Sequence, residues 1–197
     1  MRRIENFERR EKKQRRNQLA IGIILIVLMV SSTVGFIFAF GGGSSGGGNE
    51  VEADFVYNGV DFFRTSLGVG FQTSDGIFET SLEPLEVEDI EFNVVVSSGD
   101  FLNKPLYFVF DEKDSVVEEL EKNMRALALR LGDACLEGRD CSNDDFVVKN
   151  CEDNVIVISE SEEIKTYKEG NCIFLEGPKD KQMILADKLI YRILGIQ

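Results

Sequence analysis

Acidic side chains offer the most chemistry in this chain. Asp140, Asp144 and Asp145 lie close to Glu152 and Asp153, and a second run holds Glu160, Glu162 and Glu163. Carboxylate oxygens grouped in this way are hard ligands suited to Ca2+. The stretch Asp140-Cys141-Ser142-Asn143-Asp144-Asp145 alternates oxygen donors, but it lacks the central Gly and in-register distal Glu of an EF-hand loop. Solvated loop charge accounts for the same pattern. Paired carboxylates also serve glycoside hydrolysis, which needs a set separation across a cleft that spacing alone does not supply.

The chain contains no histidine. That removes the usual general base and, with it, Ser-His and Cys-His catalysis. No nucleophile elbow, phosphate-binding loop, dinucleotide fingerprint or S-x-x-K helix start is present. No catalytic or cofactor-binding residue is assigned, no cofactor is expected, and an enzyme is the less favoured class. The four cysteines are Cys135, Cys141, Cys151 and Cys172. Their spacing lacks a C-x2-C knuckle, so a zinc site is the weaker reading and disulfides the stronger. Four cysteines allow three pairings. A short closed loop favours Cys135–Cys141, and a tie between adjacent strands favours Cys151–Cys172.

The elements that must position these groups begin with Leu19 to Phe40, a run without a charged residue. As a helix it is long enough to cross a bilayer. Residues 1–18 carry eight Arg and Lys against three Glu, and the whole chain has net charge −13, so everything after the tail is strongly acidic. Basic residues beside a span stay cytoplasmic, which predicts an inside tail and an outside C-terminal domain. The run exceeds a cleavable h-region, and Phe38-Ala39-Phe40 fits a cleavage site poorly. An uncleaved signal-anchor is therefore expected. All four cysteines fall on the outer, oxidising side of it.

Residues 41–48, GGGSSGGG, read as a flexible tether, and residues 49–197 as one soluble domain divided near residue 100. The first part reads as an antiparallel meander of four strands. Asn58-Gly59 signals a type I′ turn after Phe55-Val56-Tyr57. Val69, Phe71 and Thr73 alternate before a turn at Ser74-Asp75-Gly76. Phe92 to Val96 offers a further strand, and residues 97–100 a loop. Aromatics on alternating strands are simplest as core, while Phe62 and Phe63 must face opposite ways, so one of them is a candidate contact residue.

Residues 101–197 read as strand, helix, strand, strand, strand, helix. Leu106 to Phe110 is a buried-strand type run. A helix capped at Asp114 or Ser115 carries Val117, Leu120, Met124, Leu127 and Leu131 on one stripe, with Gly132 as its stop. Asn154 to Ser159 is the clearest strand. Ile164 to Lys168 and Cys172 to Leu175 form a hairpin around Glu169-Gly170-Asn171. Pro178 suits the first turn of a last helix bearing Met183, Ala186, Ile190 and Ile193. The expected class is α+β, a mixed sheet with helices packed on it.

Several segments together carry a resemblance. They are the basic tail with LIVLMVSSTVGF, the strand Leu106-Tyr107-Phe108-Val109-Phe110-Asp111, and the stretch from Cys151 through Asn171-Cys172-Ile173 and Glu176-Gly177 to Leu194-Gly195-Ile196. The layout resembles single-span membrane proteins of small-genome archaea that carry an extracytoplasmic, cysteine-containing α/β domain. That resemblance implies a Cys151–Cys172 pair and brings no activity with it.

Three classes follow. The leading one is a membrane-anchored extracytoplasmic binding or assembly module, with the bilayer and a protein as partners. Nucleic acid is not expected, because the tail has one aromatic and no recognition module. A pilin-like structural subunit is the second class, weakened by the absence of a processing Gly beside the basic residues. A carboxylate-dependent hydrolase or Ca2+-binding protein is the third.

Overall fold

The computed structural model describes residues 52–141, 143 and 145–197. The expected tail at 1–18, span at 19–40 and tether at 41–48 lie outside the described residues, as does Asp144. No helix among the described residues is long and apolar enough to cross a membrane. Residues Val51–Gln197 form one compact unit.

Alternation along residues 55–80 builds the meander: β1 (Phe55–Tyr57), β2 (Val60–Arg64), β3 (Val69–Thr73) and β4 (Gly76–Thr80), paired antiparallel in chain order. Asn58 and Gly59 both take positive φ (47° and 80°), the backbone a type I′ turn requires. Register places Phe55 opposite Phe62, Phe62 opposite Phe71, and Phe71 opposite Phe78. One face therefore carries an aromatic row whose adjacent rings lie 4.9 to 5.8 Å apart. Phe62 is fully buried, whereas its neighbour Phe63 points the other way and keeps partial exposure.

The second sheet has the order β7-β6-β5-β8-β10-β9. Its strands are β5 (Pro105–Phe110), β6 (Arg130–Leu136), β7 (Val147–Lys149), β8 (Val155–Glu160), β9 (Lys165–Glu169) and β10 (Cys172–Gly177). All neighbours are parallel except β9, which runs antiparallel to β10 at the edge. Among the described residues three α-helices accompany the sheets: the short α1 (Ser98–Phe101), α2 (Ser115–Met124) and α3 (Gln182–Ile193). Leu106, Phe108, Ile156, Ile158, Ile173 and Leu175 face α2 and α3 and share one core with the aromatic row of the meander. Tyr191 of α3 meets the Phe71 ring at 5.6 Å and the Phe62 ring at 6.3 Å. With a sheet on either side, α3 is buried nearly all round, Asp187 and Lys188 included.

The opposite face of the second sheet holds a smaller cluster of Tyr107, Ala134, Leu136, Val155, Val157, Cys172 and Phe174, with no helical member. Parallel sheets normally bury both faces. Here long cations take that role: Lys149 lies 4.3 Å from the Tyr107 ring centre and Arg139 5.4 Å from that of Phe174. The Cys151–Cys172 disulfide borders this side. Cys135–Cys141 staples the crossover from β6 to β7, and Cys151–Cys172 ties the turn before β8 to the first residue of β10.

Four expectations change. The helix predicted to continue to Leu131 ends at Met124, and Leu131 and Gly132 belong to β6. Their parallel pairing with Leu106 and Tyr107 overrides the helical stripe. Cys135 consequently sits in β6. Five strands, not three, separate α2 from α3. Residues 92–96 form no ladder, although the Asn93 amide donates to Thr166 Oγ1 at 2.9 Å beside β9. Residues 97–100 are not a loop: Ser97 and Asp100 make the capping box of α1.

Candidate functional site

A parallel sheet has a preferred place for ligands: the crevice at the carboxyl ends of two strands where the connections leave in opposite directions. Here that place lies between β5 and β8. From β5 the chain passes through α2 to β6 on one side, and from β8 it leads to β10 and β9 on the other. A cavity of about 200 Å³ opens there, lined by Phe110, Asp111, Glu112, Asp114, Ile158, Ser159, Glu160, Lys179 and Gln182.

The geometry of the crevice starts from the α2 cap. Asp114 is the N-cap residue, and its Oδ1 accepts from the amides of Val116 (3.0 Å) and Val117 (3.2 Å). Its Oδ2 holds the Lys179 ammonium. Burial pushes the Asp114 carboxyl up, but Lys179 and the two amides outweigh it, and the group sits below its usual range. Lys179 is raised, first by the hydrogen bond to Asp114, against desolvation, with the charges of Glu112 and Glu160 adding to it. Glu112 and Glu160 thus act on Lys179 through charge alone. Four carboxylates share the lining with one lysine, so the crevice is strongly electronegative.

A larger cavity of about 330 Å³ lies at the opposite, amino ends of the strands, beside Asp100, Lys104, Asp153, Asn154, Lys168 and Asn171. Many of its polar groups already hold the fold together. Asn154 Nδ2 donates to the Pro105 carbonyl (3.3 Å), Asn171 Nδ2 to that of Glu152 (2.8 Å), and Lys104 Nζ to that of Asp100 (3.0 Å). The smaller crevice leaves more of its charge uncommitted and is the better candidate.

The acidic residues singled out by spacing do not assemble. Asp140 and Asp145 are exposed on the β6–β7 crossover, and the Asp145 amide donates to Asn143 Oδ1 at 3.0 Å in a local turn. Asp153 pairs with Lys149 at 3.2 Å, and Glu163 with Lys165 at 3.3 Å. Among the described residues no group of three or more His, Cys, Asp or Glu converges as metal ligands. From the second acidic run Glu160 reaches the crevice, because it closes β8. Asp111, Glu112 and Lys179 carried no signal in the sequence beyond their places after an apolar run and after Gly177-Pro178.

A second polar set lies in the core between the meander and the helices. Asp187 of α3 is fully buried, and its Oδ2 accepts from the Leu82 amide at 2.9 Å. Tyr191 donates to the Leu82 carbonyl at 2.7 Å and lies 2.5 Å from Thr80 Oγ1. On α2, Asn123 donates to the Glu79 carbonyl and accepts from its amide (2.9 and 3.0 Å), which closes the exposed edge of β4. Glu119 Oε1 and Asp187 Oδ1 are buried without a hydrogen-bond partner among the described residues. Burial first, and the nearby charge of Glu119 second, push Asp187 up to about 8 despite the amides of Leu82 and Ser81. Burial likewise pushes the Tyr191 hydroxyl up. Only Asp187's place inside the apolar run MILADKLIY hinted at this role, because a helix packed on a single sheet would have turned it to solvent.

Comparison with protein-family models, with curated proteins and with solved structures returned no match.

Proposed function

We propose that this chain is a membrane-tethered extracytoplasmic binding module, anchored through residues 19–40, whose crevice between β5 and β8 takes a basic group of a partner protein. The observation that carries the reading is the crevice itself. It lies at the carboxyl ends of parallel strands where connections diverge, and Glu112 and Glu160 there face a single lysine already held by Asp114. The two disulfides agree with an oxidising outer compartment. An ammonium or guanidinium about 4 Å from one carboxylate gains roughly 1–4 kcal/mol before desolvation is subtracted. Two such contacts give orientation and fast, salt-sensitive capture rather than tight binding.

The test is an amide-shift titration of the protein with lysine- and arginine-bearing peptides against acidic ones. The basic peptides should perturb Glu112, Ser159 and Glu160, weaken with added salt, and lose their effect in the Glu112→Lys/Glu160→Lys variant. Equal response to acidic peptides, or no response in the crevice, would refute the reading.

A further inference from the structure

We propose that Asp187, packed beside Glu119, is a proton-operated clamp that holds the four-stranded meander against the helix pair, tight while Asp187 keeps its proton and looser once it is charged. Two buried carboxylates on packed helices each leave one oxygen, Glu119 Oε1 and Asp187 Oδ1, without a hydrogen-bond partner among the described residues. An orphaned buried carboxylate is expensive when charged, and a bound proton removes most of that cost. The proton leaves to solvent and no other bond changes.

The position of the pair makes it a clamp. Asp187 and Tyr191 bond the amide and carbonyl of Leu82, which directly follows β4 and Ser81. Asn123, one turn after Glu119, bonds both backbone groups of Glu79. The strand and its exit are thereby fixed by three side chains from two helices.

The surrounding charges are few. From α2, Lys122 bonds Glu119 Oε2 (3.3 Å) and, on β4, Glu79 Oε2 (3.2 Å). Lys122 favours the charged form of Asp187, as do the amides of Leu82 and Ser81, but burial and Glu119 outweigh them. Glu83, after β4, adds negative charge on the Tyr191 side. On α3, Lys188 donates to the Glu88 carbonyl at 2.9 Å and feels the charges of Arg192, Glu88 and Asp89.

The sign is fixed by the direction of the shift. Asp187 stays protonated to about pH 8 in the folded protein, whereas the unfolded chain releases that proton near pH 4. Stability therefore declines as pH rises between those values and levels off above them. The chain has no histidine and no free cysteine, so above the ordinary carboxylate range, from about pH 6 to about 8, no ordinary side-chain titration masks this decline.

The experiment uses the full chain in detergent micelles, unfolded by urea at a series of pH values from about 5 to about 9. Amide exchange, corrected for its intrinsic pH dependence, is followed in parallel over Glu79–Leu82. The midpoint should fall steadily, the folded-to-unfolded ratio should drop by at most tenfold per pH unit, and exchange over Glu79–Leu82 should accelerate. Asp187→Asn should remove most of the slope. Glu119→Gln should shrink it and end it at lower pH. A wild-type midpoint that is flat or rising over this interval overturns the clamp, as does an Asp187→Asn protein with the wild-type slope. Should Asp187→Asn fail to fold, a Glu119→Gln profile identical to wild type overturns it.

Discussion

Asp114 serves two structures at once: it caps α2 through the amides of Val116 and Val117, and it holds Lys179 at the crevice. Asp114→Ala should cost about 1–2 kcal/mol, the usual loss for a helix N-cap, and should free Lys179 to neutralise the crevice. Urea unfolding measures the first effect, and weaker peptide binding the second. The depressed carboxyl adds a pH signature. Its contribution is present above the unfolded value and disappears as pH falls through the folded one, so the loss lies on the acid side, below about pH 4. The variant should lose less stability than wild type on acidification there. This residue was legible in the sequence, because an Asp ahead of an apolar stripe is a cap signal. The opposite faces of Phe62 and Phe63 were legible too, since strand alternation requires them. Asp187 was not, because its burial comes from a second sheet that no local pattern announces.

Elements with a strong period were read well and elements defined by partners were not. The meander follows from alternation and from Asn58-Gly59, and its inward row is the aromatic set Phe55, Phe62, Phe71 and Phe78. Phe71 touches Phe62, Phe78 and Tyr191, so it joins the meander to α3. Phe71→Ala should destabilise the protein by about 3–5 kcal/mol, the range for a fully buried aromatic. A thermal or urea midpoint close to wild type would mean that the two parts do not share a core. The end of α2 was misread because Leu127 and Leu131 continue the helical spacing of Leu120 and Met124. The Leu127 amide does bond the Met124 carbonyl at 3.1 Å, but the chain then turns and Leu131 pairs with Leu106. Strand β7 went unseen because Val147 and Val148 are exposed, so its three residues show no buried face.

At the scale of the whole molecule, the sequence divides into an apolar run with basic residues before it and an acidic α+β domain after it. The domain's two parts were legible separately. Their arrangement, with α2 and α3 sharing a core with both sheets, was not, since it depends on which faces meet in three dimensions. The crevice was hidden for the same reason. Its carboxylates come from the ends of β5 and β8, about fifty residues apart in the chain, and only the parallel pairing of Tyr107 with Val155 brings those ends together. In the proposed function, this acidic crevice belongs to an outward-facing, tethered domain. Photo-crosslinking from position 159 on intact cells tests both halves together, with the exposed Val95 as a control position. The predicted result is an adduct to a lysine- or arginine-rich segment of an extracytoplasmic protein, absent from Val95 and lost in Glu112→Lys/Glu160→Lys. Adducts to cytoplasmic proteins, or capture that ignores the charge reversal, would contradict it.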